Sequence, residues 1–143
     1  MTTLKTLIFT IMLSVSFVTE AKEHTVGAYT VWGSYSAGGF TWKNIVVPAS
    51  TKRNELITIA KRLKSTYPNT RIHIFNDDTK IKQYVQRDIY FSAPDRSKVK
   101  KVEFPGAWVD KHFLGNINDR STESMETGQW QLVTPYGEPI DPL

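Results

Sequence analysis

The chain has 143 residues, no cysteine and a formal net charge of +4 at pH 7, with a sequence pI of about 9.3. Without cysteine there is no disulfide, no thiolate nucleophile and no thiolate metal site. The modest basic surplus favours an anionic neighbour, either an acidic envelope protein or an anionic or glycan polymer.

Met1 to Lys5 carries one positive side chain and leads into an apolar run from Leu7 to Val18, interrupted only by Thr10, Ser14 and Ser16. A membrane span needs ~20 apolar residues, so this run is too short for one. Thr19, Glu20 and Ala21 follow as a signal-peptidase site, and residues 1–21 therefore read as a secretory signal whose removal makes Lys22 the mature N-terminus. The remainder, 22–143, is the size of a single domain. An exported domain that holds its core without disulfides suits a bacterial periplasmic or secreted protein, a setting in which nucleic acid is not the expected partner.

Tyr29 to Trp32 and Phe40 to Val47 are aromatic and β-branched, and predict two strands joined through a flexible segment, Gly33 to Gly39. Pro48 ends the second strand and Ser50 or Thr51 offers a helix cap. Leu56, Ile59, Ala60, Leu63 and Tyr67 then recur at spacings of three and four, which predicts a helix over 51–66 with a basic outer face. Arg71 to Phe75 alternates as a strand, Ile72 and Ile74 opposing His73 and Phe75. Strand 40–47, helix 51–66 and strand 71–75 thus form a βαβ unit with parallel strands.

A shorter helix is expected near 79–89, with Ile81, Tyr84 and Val85 on its inner face behind an Asp78 cap. Lys98, Lys100 and Lys101 surround Val99 to Phe104 in the manner of a guarded edge strand. Trp108 to Ile117 fits either period. Asn118 to Gly128 reads as a loop, Trp130 to Thr134 as a strand and Pro135 to Gly137 as a turn. The expected fold is α+β, or small α/β: a two-layer sandwich with a mixed sheet of about five strands and helices on one face.

Gly33 and Gly38 stand at P-loop spacing, but Gly39 and Phe40 occupy the positions where lysine and Ser or Thr would hold phosphate and magnesium. Ser34 and Ser36 lack the strand, turn and helix setting of a nucleophile elbow. Asn76, Asp77, Asp78 and Thr79 follow an apolar strand, a placement that resembles the first motif of the haloacid-dehalogenase phosphohydrolases. Asn76 takes the nucleophile's place there, and an amide cannot form a phosphoaspartate. His24, His73 and His112 show no metal-binding spacing, so neither a metal nor a cofactor is implied.

Trp32, Tyr35, Gly38, Gly39 and Trp42 combine rigid aromatics with adaptable small residues, the composition of a recognition surface, with Tyr35 expected at the loop tip. The function expected from the sequence is an exported, soluble cell-envelope binding module without a catalytic centre. The alternative is a small exported hydrolase drawing on Asp77 or Asp78 with His73 or His112 as acid and base.

Overall fold

The computed structural model of the chain describes residues 23–26, 29–119, 129–135 and 138–143. The secretory signal expected over 1–21 lies outside the described residues, as do Lys22, most of the loop expected over 118–128, and Tyr136 and Gly137 of the expected turn.

The fold is an α+β sandwich on one mixed, seven-stranded sheet whose strand order follows the chain, β1 to β7. The strands are β1 (Glu23–Val26), β2 (Tyr29–Ala37), β3 (Phe40–Val46), β4 (Arg71–Phe75), β5 (Phe113–Asn118), β6 (Gln131–Val133) and β7 (Pro139–Pro142). Only β3 and β4 pair in parallel, joined by α1 (Arg53–Thr66). All other neighbours are antiparallel. The βαβ unit read from the sequence is therefore present. The sheet exceeds the expected strand number because the short edges β1 and β7 also pair.

Helices cover both faces of the sheet, where the sequence suggested one. Leu56, Ile59, Ala60 and Leu63 of α1 pack on Ile45, Ile72, Ile74, Ile117 and Leu132, an aliphatic core. On the opposite face, α2 (Ile81–Ser92) and α3 (Gly106–His112) place Ile81, Val85 and Val109 against Phe75, Phe113, Tyr35 and Ala37. This follows from the strict alternation of β4, all five of whose residues are buried.

Four local expectations are corrected. The segment from Gly33 to Ala37 is strand, paired residue by residue with β3, and the connection is the two-residue turn Gly38–Gly39. Both glycines have positive φ, 60° and 79°, as the tightest hairpins require. Ser34 and Ser36 face solvent while Tyr35 and Ala37 face the core, a period of two that the glycines and serines disguise. Val99 to Phe104 forms no edge strand; a 3-10 helix spans Arg96–Lys101. Arg87 of α2 donates to the carbonyls of Val99 and Val102, taking backbone acceptors that a strand would offer a neighbour. Trp108 to Ile117 is helix and then strand in succession. Finally, α1 starts one residue later than a Thr51 cap would give and two later than a Ser50 cap would, with Glu55 accepting from the Lys52 backbone at 2.8 Å.

Leu63 is fully buried against β4 and its neighbours. Leu63→Ala should lower stability by roughly 2 to 4 kcal/mol through the cavity it leaves, read as a fall in the urea midpoint with Lys61→Ala as a mild comparison. An unchanged midpoint would mean that α1 packs through another face.

Candidate functional site

The two sheet faces differ in chemistry as well as in cover. Asn44, Arg71, His73, Asn116, Asn118 and Gln131 are the buried polar residues among those described. Register puts them on a single face: Asn44 beside His73, His73 beside Asn116, and Asn118 beside Gln131, with Arg71 two residues before His73. Most are bonded, Arg71 to Asp119, Asn118 to Asn116 and Asn116 to the carbonyl of Thr134. Asn44 differs, because it is 1% exposed and neither amide atom has a partner within the described protein. Its cross-strand neighbour is Gly33, where an added Cβ would meet nothing within 4 Å. A buried amide with no hydrogen-bond partner is uncommon and costs free energy.

His73 sits at the centre of this face. Its ring stacks on Trp42, with centroids 4.3 Å apart, and meets the edges or faces of Phe75, Tyr84 and Phe113. Its Nδ1 lies 3.3 Å from the Tyr35 hydroxyl. That hydroxyl donates to Oδ2 of Asp88 at 2.6 Å. With the Tyr35 proton directed at Asp88, the phenolic oxygen is left as acceptor, so His73 carries its proton on Nδ1 and donates it. A chain of three side chains from β4, β2 and α2 therefore runs from the centre of the sheet out to Asp88.

Electrostatics keep this chain in one protonation pattern. Burial lowers the His73 pKa to about 3, so the imidazole is neutral at pH 7. Burial, reinforced by Asp88, raises Tyr35 far beyond the ordinary phenol range. Burial also raises Asp88, against the opposing pull of the Tyr35 hydrogen bond. Neither His73 nor Tyr35 is tuned to exchange a proton near neutral pH, as an acid–base partner must be. For His73, the folded protein takes up no second ring proton until about pH 3 whereas the unfolded chain takes one near 6.5, so its contribution to stability falls as pH drops through that window.

Asp88 also faces outward. It lines a hollow of about 350 Å³ together with Tyr84, Arg87, Phe91 and Phe104. Tyr84, Arg87, Asp88 and Phe91 share one stripe of α2 at helical spacing, and Phe104 follows the 3-10 helix. Phe91 and Phe104 are 54% and 48% exposed, the large apolar side chains left open to solvent among the described residues.

The sequence-selected residues fall into three places. Trp32, Tyr35 and Trp42 join His73 in the aromatic layer, Tyr35 as a buried strand residue and not at a loop tip. Gly38 and Gly39 form the hairpin turn. Asp77 and His112 meet at the end of β4, where the Trp108 indole donates to Asp77 at 2.7 Å and His112 Nδ1 lies 2.8 Å from Oδ1 of Asn76. His73 is not part of that group. Asp77 accepts from the Thr79 hydroxyl and backbone as well as from Trp108, and these bonds lower its pKa to about 2. Lys80, not the expected Asp78, is the N-cap of α2, and the Asp78 backbone carbonyl accepts from Ile81 N at 3.3 Å. No group of three or more metal-ligating side chains converges among the described residues.

Asn44, Asp88, Phe91 and Phe104 were not selected from the sequence. Polar residues two apart, Arg71 with His73 and Asn116 with Asn118, were the available signal for the polar face, and such a pattern ordinarily marks a solvated face.

The chain matches no protein-family model, no curated protein and no solved structure.

Tyr35→Phe removes one hydroxyl and leaves Asp88 and His73 Nδ1 without their buried partner. It should destabilise the fold by about 1 to 3 kcal/mol, measured by urea denaturation, while Tyr90→Phe on the outer side of α2 should change little. Equal midpoints for both variants would contradict the three-residue chain.

Proposed function

We propose that the protein is an exported envelope module that works by binding, and that its contact surface centres on the hollow between α2 and Phe104. The observation that carries this reading is the pair of solvent-exposed phenylalanines on the rim of one hollow. Exposing such rings costs solvation free energy unless another surface covers them for part of the time. The inward-facing Tyr35 and His73 support the same reading, since they brace Asp88 in place and carry no group poised for proton transfer.

The hydrolase alternative has one observation in its favour, the meeting of Asp77 and His112 beside Trp108. A carboxylate with a pKa of about 2 is, however, a weak general base, and its Oδ1 already accepts three hydrogen bonds.

Fractionation tests the binding reading. In a cell that exports the protein, wild type should sediment with envelope fragments, and Phe91→Ser with Phe104→Ser should shift it to the soluble fraction, the partition falling roughly a hundred-fold, about ten-fold for each exposed ring lost. Wild type that stays wholly soluble, or a folded double variant retained as well as wild type, would contradict it.

A further inference from the structure

The hollow has a pronounced electrostatic setting. Between residues 82 and 104 the chain carries six cations, Lys82, Arg87, Arg96, Lys98, Lys100 and Lys101, against the three acids Asp88, Asp95 and Glu103. The 3-10 helix exposes Arg96, Lys98, Lys100 and Lys101 to solvent. Arg96 lies over the Phe91 ring at 4.7 Å and Lys98 over Tyr90 at 6.0 Å, so positive charge adjoins the exposed aromatics directly.

Two of the three acids in the same region are turned to other uses, and Glu103 stays exposed beside Phe104. Asp88 accepts the Tyr35 hydroxyl, and Asp95 accepts the backbone and hydroxyl of Ser97 at the start of the 3-10 helix. Arg87 is committed to the carbonyls of Val99 and Val102, fixing the 3-10 helix against α2.

The basic outer face of α1 is a useful contrast. There Lys61 pairs with Asp141, Lys64 reaches the Pro68 carbonyl and lies over Trp130, and Arg62 lies over the buried Tyr29. These three cations fold back onto the protein while Lys52 and Arg53 stay exposed, and no large exposed apolar side chain accompanies them among the described residues. Charge alone therefore does not distinguish the α2 face; charge joined to exposed phenylalanine does.

We infer that this face docks reversibly onto an anionic lipid surface, with Phe91 and Phe104 entering the headgroup and acyl boundary while Arg96, Lys98, Lys100 and Lys101 engage the lipid phosphates. The inference deepens the binding reading above and rests on it. A soluble anionic polymer satisfies the cations but offers the phenyl rings and the apolar hollow nothing, whereas a lipid surface satisfies both. No helix among the described residues is long and apolar enough to cross a membrane, so the association is peripheral.

Sedimentation with vesicles tests this directly. Vesicles of phosphatidylglycerol and phosphatidylcholine should bind the mature protein, pure phosphatidylcholine vesicles should bind it far less, and raising salt from 0.05 to 0.5 M should release it. Arg96→Glu with Lys98→Glu should weaken the partition coefficient at least twenty-five-fold, since each cation lost costs about five-fold. Phe91→Ser should weaken it roughly ten-fold at any salt. Lys52→Glu with Arg53→Glu on α1, also two charges reversed, should have a much smaller effect than the α2-face pair. Equal loss from the two double variants would reduce the effect to net charge and overturn the assignment of the face. No binding to anionic vesicles, while wild type still sediments with envelope fragments and the phenylalanine variants do not, would overturn the lipid assignment alone and point to a protein or glycan partner. Loss of envelope sedimentation altogether would remove the underlying binding reading.

Discussion

The structure depends on how β4 divides its side chains. A central strand buried on both faces normally carries apolar residues throughout, yet β4 sends Ile72 and Ile74 to one side and Arg71, His73 and Phe75 to the other. A buried imidazole is tolerable only when neutral and hydrogen-bonded. Tyr35 meets that requirement for His73, and it holds its position because its own proton goes to Asp88. The constraint on one histidine therefore fixes the facing of β2 and the rotational setting of α2.

That setting has an outward consequence. Turning Asp88 toward Tyr35 places Tyr84, Arg87 and Phe91 along the adjoining stripe of α2, and Arg87 then draws in the 3-10 helix through the carbonyls of Val99 and Val102. The hollow, its two phenylalanine rims and its cationic flank are assembled as a result. The inner polar chain and the hollow meet at Asp88 on one helix, so a fold without disulfides holds the hollow on rigid elements.

Much of the scaffold was legible in the residues. Leu56, Ile59, Ala60 and Leu63 recur at helical spacing and Ile72 and Ile74 at strand spacing, and these local periods suffice for the βαβ unit. The long hairpin was not legible, because Gly33, Ser34 and Ser36 are poor strand formers individually and only pairing with β3 makes them strand. The lysines around Val99 look like an edge guard until Arg87 supplies a competing partner for the backbone. The site was hidden for a related reason. Tyr35 and Asp88 are 53 positions apart, and no local pattern in a single sequence records a contact of that separation. The burial of the polar positions of β3, β4 and β5 was not legible because nothing in their own segments shows that helices cover both faces.

The central claim is that His73 is a neutral, Nδ1-protonated imidazole locked to Tyr35. Nitrogen NMR of the histidine rings across a pH titration tests it most directly. His73 should show a protonated Nδ1 and a bare Nε2 with no change between pH 7 and 4.5, consistent with a pKa lowered to about 3 by burial. A His73 that is protonated at Nε2 alone, or that titrates near the ordinary value of 6.5, would contradict the account.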